Sequence, residues 1–189
     1  MENMADSVLA WSALAIALVW SVGAYNRLVR LRTQVIVAFA VLDGRLAHYL
    51  ALTDEYLKEA SGLALAQAVA TPQGGDPATV WVGLQGASTQ FEASLKVARR
   101  KPLDAAAMAA LQTAHATLHG SWLRVQDESR DYRNLLRPSV QPGWTENALL
   151  VTQASAGFNR AVLAHNAAIG QFPALLLAHV FGFRPAGCL

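Results

Sequence analysis

Cysteine is almost absent from this chain. The one thiol, Cys188, lies one residue from the end, which excludes an internal disulfide framework and does not form a four-residue prenylation box. Charge is sparse as well: acidic and basic residues make up 15% of the chain and the formal net charge is +2. So small a balance, with scattered arginines, gives no basic face for counterion-release binding and excludes nucleic acid as a partner. No segment alternates apolar and polar residues between turn signals, which leaves no candidate strands. The usual marks of catalysis are missing too. No serine sits in a nucleophile elbow, and "QGGD" has no lysine to complete a phosphate loop. No histidine follows a glutamate by three residues, as di-iron bundles require. The expectation is a protein that is not an enzyme and holds no cofactor or metal.

What the chain does contain is apolar surface, 53% of residues with a mean hydropathy of +0.26. Its 189 residues suit one domain plus an anchor. From Ser7 to Tyr25 no residue is charged, and nineteen helical positions reach about 28 Å, close to the hydrocarbon thickness of a bilayer. Trp11 and Trp20 lie toward the two ends, where interfacial aromatics gather, and Tyr25 marks the exit. A cleaved signal peptide is the rival reading, with Val22-Gly23-Ala24 as its cleavage site. Glu2 and Asp6 precede the run with no Lys or Arg, opposite to a secretory start. Arg27, Arg30, Arg32 and Arg45 follow it. The positive-inside rule then predicts an external N-terminus, a transmembrane helix within residues 1–24, and a helical domain over 25–189 in the cytoplasm. Arg27, Arg30 and Arg32 form a basic collar, each arginine worth about 1 kcal/mol beside anionic headgroups; an ordinary solvated helix face is the plainer reading.

Beyond the anchor the period is helical. Leu28, Leu31, Val35, Ala38, Leu42, Leu46, Tyr49, Thr53, Tyr56, Ala60 and Leu63 recur at threes and fours, the seam of a coiled-coil-like helix from about 7 to 70. "TPQGGDP", Thr71 to Pro77, breaks it. A second helix presents Val80, Leu84, Ala87, Phe91, Leu95 and Ala98. "RRKPLD" either closes it and uses Pro102 to open the next, or only kinks one continuous helix. The third seam is Leu111, Ala114, Leu118, Trp122, Val125, Ser129, Tyr132 and Leu136, ended by "RPSVQPG". Thr145 is the expected cap of a fourth helix with Leu149, Thr152, Ala156, Asn159, Val162, Asn166 and Ile169 on its face. The predicted fold is all-α: the transmembrane helix continues into an elongated antiparallel four-helix bundle.

Asn159 and Asn166, seven apart, share a face where burial without partners costs about 1–3 kcal/mol each. Up-down-up-down topology brings Asn26 near them, predicting an asparagine layer that fixes register. The same topology places Phe172, Pro173, Phe181 and Phe183 at the membrane surface, either in the interface or folded back on the bundle. His115 and His119 share a face and are the only metal-site candidate, with no carboxylate beside them.

"YNRLVRLRTQVIVAFAVLDGRL", Tyr25 to Leu46, resembles the signature that follows the anchor in the LemA family. That signature reads Tyr-Asn, Leu-Val, an arginine, Ala-Trp, Ile-Asp and a leucine. "FEASLKVAR", Phe91 to Arg99, resembles the family's second-helix pattern. "FNRAVLAHNAAIGQFPALLLAHVFGF", Phe158 to Phe183, is similar to its C-terminal pair of Tyr-Asn motifs, isoleucine, Phe-Pro and Gly-Phe. Phe39 stands for the usual tryptophan, and Phe158 and His165 for the two tyrosines. The resemblance implies a single N-terminal anchor, a short external N-terminus, a helical bundle, and no established biochemical activity. The leading functional expectation is a non-enzymatic scaffold or adaptor with the lipid bilayer and an unidentified protein as partners. The alternative is a small-molecule or lipid sensor binding between helices near Asn26, Asn159 and Asn166. Ala13, Ala17 and Ser21 form a small-residue stripe through which the anchor could make a homo-oligomer.

Overall fold

A computed structural model describes residues 2–68, 78–131, 140–172 and 174–189. Among them every regular element is a helix: α1 (Glu2–Ala68), α2 (Ala78–Arg100), α3 (Ala105–Asp131), α4 (Gln141–Ile169) and α5 (Ala174–Phe181). The expected breaker Thr71–Pro77, the seam residues Tyr132 and Leu136, and Pro173 lie outside the described residues.

No proline occurs before Pro72, so nothing removes a backbone donor from α1, and the helix runs unbroken for 67 residues, about 100 Å. Its two halves have different surroundings. Val8, Leu9, Trp11, Leu14, Ile16, Leu18, Val19, Trp20 and Val22 are all at least half exposed. From Leu28 onward the seam is buried through Val35, Leu42, Leu46, Tyr49, Thr53, Tyr56 and Ala60. Near the N-terminus α1 is long and apolar enough to cross a membrane.

Helix α1 packs along α4, and α2 along α3; α1 also contacts α2, while α5 lies against α1 and α4. The short link Lys101–Asp104 folds α3 back on α2. Asp104, not Pro102, opens α3: its carboxylate accepts the Ala107 N–H at 2.9 Å. Thr145 does not cap α4. The helix begins four residues earlier with Pro142 in its first turn, and the Thr145 hydroxyl donates back to the Gln141 carbonyl.

The α4 seam also differs from the expected one. Trp144, Asn147, Val151, Phe158, Val162, His165 and Ile169 are buried, while Leu149 is exposed and Asn159 and Asn166 are flanking. Larger rings thus face inward, and they complete an aromatic core. Trp122 stacks on Trp144 at 4.3 Å between centroids and 15°, joining α3 to α4. Tyr56 meets Trp122 edge-on at 5.2 Å, and Tyr49 lies 4.6 Å from Trp144, tying both to α1. Trp81 on α2 donates its indole N–H to the Tyr56 hydroxyl. Such pairs each add about 0.5–1.5 kcal/mol beyond area burial. A second, smaller cluster of Leu28, Ala168, Ile169, Ala174 and Ala178 lies where α1, α4 and α5 meet.

Candidate functional site

The end of the molecule where α1 changes character is built by the C-terminal third of the chain. Helix α5 leaves α4 at 99°. Its Ala174 and Ala178 face inward, and their small side chains permit close approach to the cluster around Leu28. Leu175, Leu176, Val180 and Phe181 on its other side are exposed, as is Phe172 before it. This apolar face is continuous with the exposed part of α1. Trp20 contacts Phe172 at 5.7 Å, and Tyr25 contacts Phe181 at 5.1 Å and Phe183 at 6.2 Å. The aromatic residues expected at a membrane surface are therefore gathered around the exit of the apolar run. Arg27 donates to the Gln171 side-chain oxygen at 3.4 Å, and Arg30 and Arg32 are exposed on the same stretch of α1.

Gly182 ends α5 in the left-handed region, φ 68°, and the Phe183 N–H reaches back to the Ala178 carbonyl at 2.9 Å. That is a Schellman stop, for which glycine avoids the Cβ clash. The chain then extends along α4. Asn166 donates to the Ala186 carbonyl at 2.9 Å and accepts the Ala186 N–H at 2.8 Å. Asn159 repeats the arrangement on Leu189, with distances of 2.7 and 2.9 Å. Each carboxamide thus acts as a one-residue piece of β-ladder for a segment that has no partner strand. Between the two clamps, Gly187 passes so close to α3 that a Cβ there would sit 2.6 Å from the Ala105 Cα.

These contacts correct the expected asparagine layer. Asn26 is exposed and Leu28 fills the interior at its level. Because the α4 seam runs through His165 rather than Asn166, both asparagines stand at the edge of the core, where the tail reaches them. Their spacing indicated a shared face, but a non-periodic tail carries no signal that would have identified the partner.

Beside the clamp a cavity of about 500 Å³ is lined by Arg32, Asp104, His165, Phe181, Phe183 and Arg184, with other residues of the α2–α3 link and the tail. His165 is only 1% exposed, yet its Nδ1 has no hydrogen-bond partner. Burial pushes its pKa below the ordinary value near 6.5; a hydrogen bond with the Arg184 backbone opposes that shift and the charge of Arg32 adds to it. The imidazole is consequently neutral at pH 7.

The other histidines are arranged differently. His115 lies against the rings of Tyr49 and Phe91, 5.4 and 5.8 Å away, and burial followed by repulsion from His119 lowers its pKa. It is a core group rather than one half of an open metal site. No group of three or more His, Cys, Asp or Glu side chains is placed to hold a metal among the described residues. Compared with known proteins, the chain matches no family model, no curated protein and no solved structure.

Proposed function

We propose that this chain is a single-pass membrane protein of LemA type, whose domain over residues 25–189 serves as a non-enzymatic scaffold or adaptor on the cytoplasmic face of a bacterial inner membrane. The observation that carries the reading is α1 itself. One uninterrupted helix exposes an apolar surface from Val8 to Val22 and then buries a seam from Leu28 to Ala60. Water would penalise the first surface and lipid would cover it. The pairing of α1 with α4 and of α2 with α3, closed by the Trp122–Trp144 stack, supports an elongated antiparallel four-helix bundle below the anchor.

Exposed apolar surface along the bundle supports the scaffold role. A shallow cavity of about 400 Å³ between α1 and α4 is lined by Ala38, Val41, Leu150 and Ala154 among others. Exposed Ile36, Val37 and Val41 continue it along α1. An apolar helix of a partner, or of a second copy, suits such a groove. Topology is tested first, with a cytoplasm-specific reporter fused after Leu189 and fractionation of the same cells. Membrane retention with an active reporter is the expected result; a soluble or external product would overturn the assignment. Cross-linking from cysteines placed at Val41 and Leu150 then tests the scaffold role. Recovery of monomer alone across growth conditions would refute it.

The second reading is a sensor that holds a small molecule or lipid near the end where α1 meets α5. The Asn159–Asn166 face is filled by the tail and offers no room. The neighbouring cavity with Arg32, His165 and Arg184 favours this reading.

A further inference from the structure

We infer that the cavity between α5, the tail and the start of α3 is a binding site for a phosphate ester, its anionic group held by Arg32 and Arg184. The inference rests on the second reading above and gives it a ligand chemistry. Arg32 comes from α1 and Arg184 from the segment after α5, so the fold brings two guanidinium groups to one cavity from positions far apart in sequence. Guanidinium is the side-chain group best matched to two phosphate oxygens. Both arginines are exposed, and among the described residues neither makes an ion pair.

His165 also contributes to the cavity wall, and its ring is buried with Nδ1 enclosed. Asp104 is the one acidic group on the wall, and its carboxylate is turned to the α3 backbone, where it accepts the Ala107 N–H.

Placement on the membrane side favours a lipid source. Phe181 and Phe183 line the cavity and also contact Tyr25, where the uncharged run ends. Arg32 lies seven residues further along α1, about 10 Å by helical rise, which is headgroup depth. A glycerophospholipid could place its phosphate on the arginines with its acyl chains along the exposed face of α5. A soluble phosphate ester offers the same anionic group without the chains.

The test uses the full chain purified in mild detergent and native mass spectrometry with three probes: phosphatidylglycerol, phosphatidylcholine and sn-glycerol 3-phosphate. One phosphatidylglycerol should bind at least about tenfold more tightly than phosphatidylcholine, from the charge-assisted bonds involved. Arg32→Gln/Arg184→Gln should abolish that preference. Arg124→Gln/Lys96→Gln, with the same charge change on α2 and α3, should keep it. If glycerol 3-phosphate binds with equal affinity and the same arginine dependence, the site holds and the ligand is soluble. Circular dichroism establishes that the cavity variant is folded, with the single Arg184→Gln taking its place if it is not. No preference among the probes, or a preference that survives loss of the arginines, overturns the inference. Failure of the membrane assignment would appear instead as a soluble product that still binds glycerol 3-phosphate.

Discussion

Removing one side chain, Asn166, should release the tail, and the size of the effect follows from its bonds. Asn166→Ala deletes a donor 2.9 Å from the Ala186 carbonyl and an acceptor 2.8 Å from the Ala186 N–H. At about 0.5–1.5 kcal/mol net per bond, the loss is about 1–3 kcal/mol. Ala186 is 6% exposed, so water cannot reach the orphaned groups unless the tail moves. Asn159→Ala deletes the same pair of bonds at Leu189, which is only half-buried and beside the chain end. Its cost should be the smaller. The two losses should also fall short of adding, because a tail already freed at Ala186 has little left to lose at Leu189. Asn166→Asp is diagnostic: it keeps an acceptor for the N–H but sets a carboxylate against the Ala186 carbonyl oxygen, and at neutral pH should cost at least as much as alanine. Thermal unfolding by circular dichroism gives the totals, and hydrogen exchange at the Ala186 amide gives the local effect. Full additivity, or unchanged Ala186 exchange in Asn166→Ala, would refute the clamp.

Acidification should weaken the fold through His115 and His165. Both pKa values are depressed by burial, so the unfolded chain binds more protons; stability is fully present above about pH 6.5 and declines as pH falls toward the folded values. Melting temperatures rising between pH 7 and pH 5 would contradict this. Trp122→Ala should cost about 3–5 kcal/mol, because it empties the largest site in the core and breaks the ring contacts to Trp144 and Tyr56; a loss below about 1 kcal/mol in chemical denaturation would show that the stack is not structural. Ile16→Arg, in the middle of the uncharged run, adds about 2.5–3.5 kcal/mol to insertion, and should shift protein from the membrane to the soluble fraction. Unchanged retention would argue against a spanning α1.

Helices α1, α2 and α3 were legible because each buries one narrow face, and a face recurring at threes and fours can be read directly. Val35, Leu42, Leu46 and Tyr49 on α1, Leu84, Phe91 and Leu95 on α2, and Leu111, Leu118 and Trp122 on α3 are all buried as the period requires. Helix α4 misled in part: Val162 and Ile169 are buried as the spacing requires, but elsewhere two stripes compete. The stripe through Leu149, Thr152 and Asn159 has the right spacing, but the one through Trp144, Val151, Phe158 and His165 has the larger side chains, and volume decides which faces a close-packed interior. Its start was misread for a related reason: Thr145 resembles a cap, but Pro142 is the better marker of a first turn. The cavity was not legible at all. Arg32 and Arg184 meet only because α5 turns and Gly182 reverses the chain, and no local pattern encodes that encounter.

In the proposed membrane topology, the position of the C-terminal third gives α1 a mechanical role as well as an anchoring one. A single helix crossing from lipid into a bundle could pivot where the two regions join, since a lone helix there would have no tertiary support. This chain braces that point. Tyr25 lies against Phe181 and Phe183, Leu28 is enclosed by Ala168, Ile169, Ala174 and Ala178, and Arg27 reaches Gln171. The brace is in turn held by the Gly182 stop and by Asn166 and Asn159 on the tail. Releasing the tail should therefore loosen the junction between the two parts of α1 through Phe183, and should also withdraw Ala186 and Leu189 from the main core cluster that holds Trp122 and Trp144. A ligand in the Arg32–Arg184 cavity would act on the same element, binding one residue from α1 and one from the segment leading into the tail. Occupancy would then be coupled to how firmly the bundle is held against the membrane surface, provided the ligand binds the braced form more tightly than the released one.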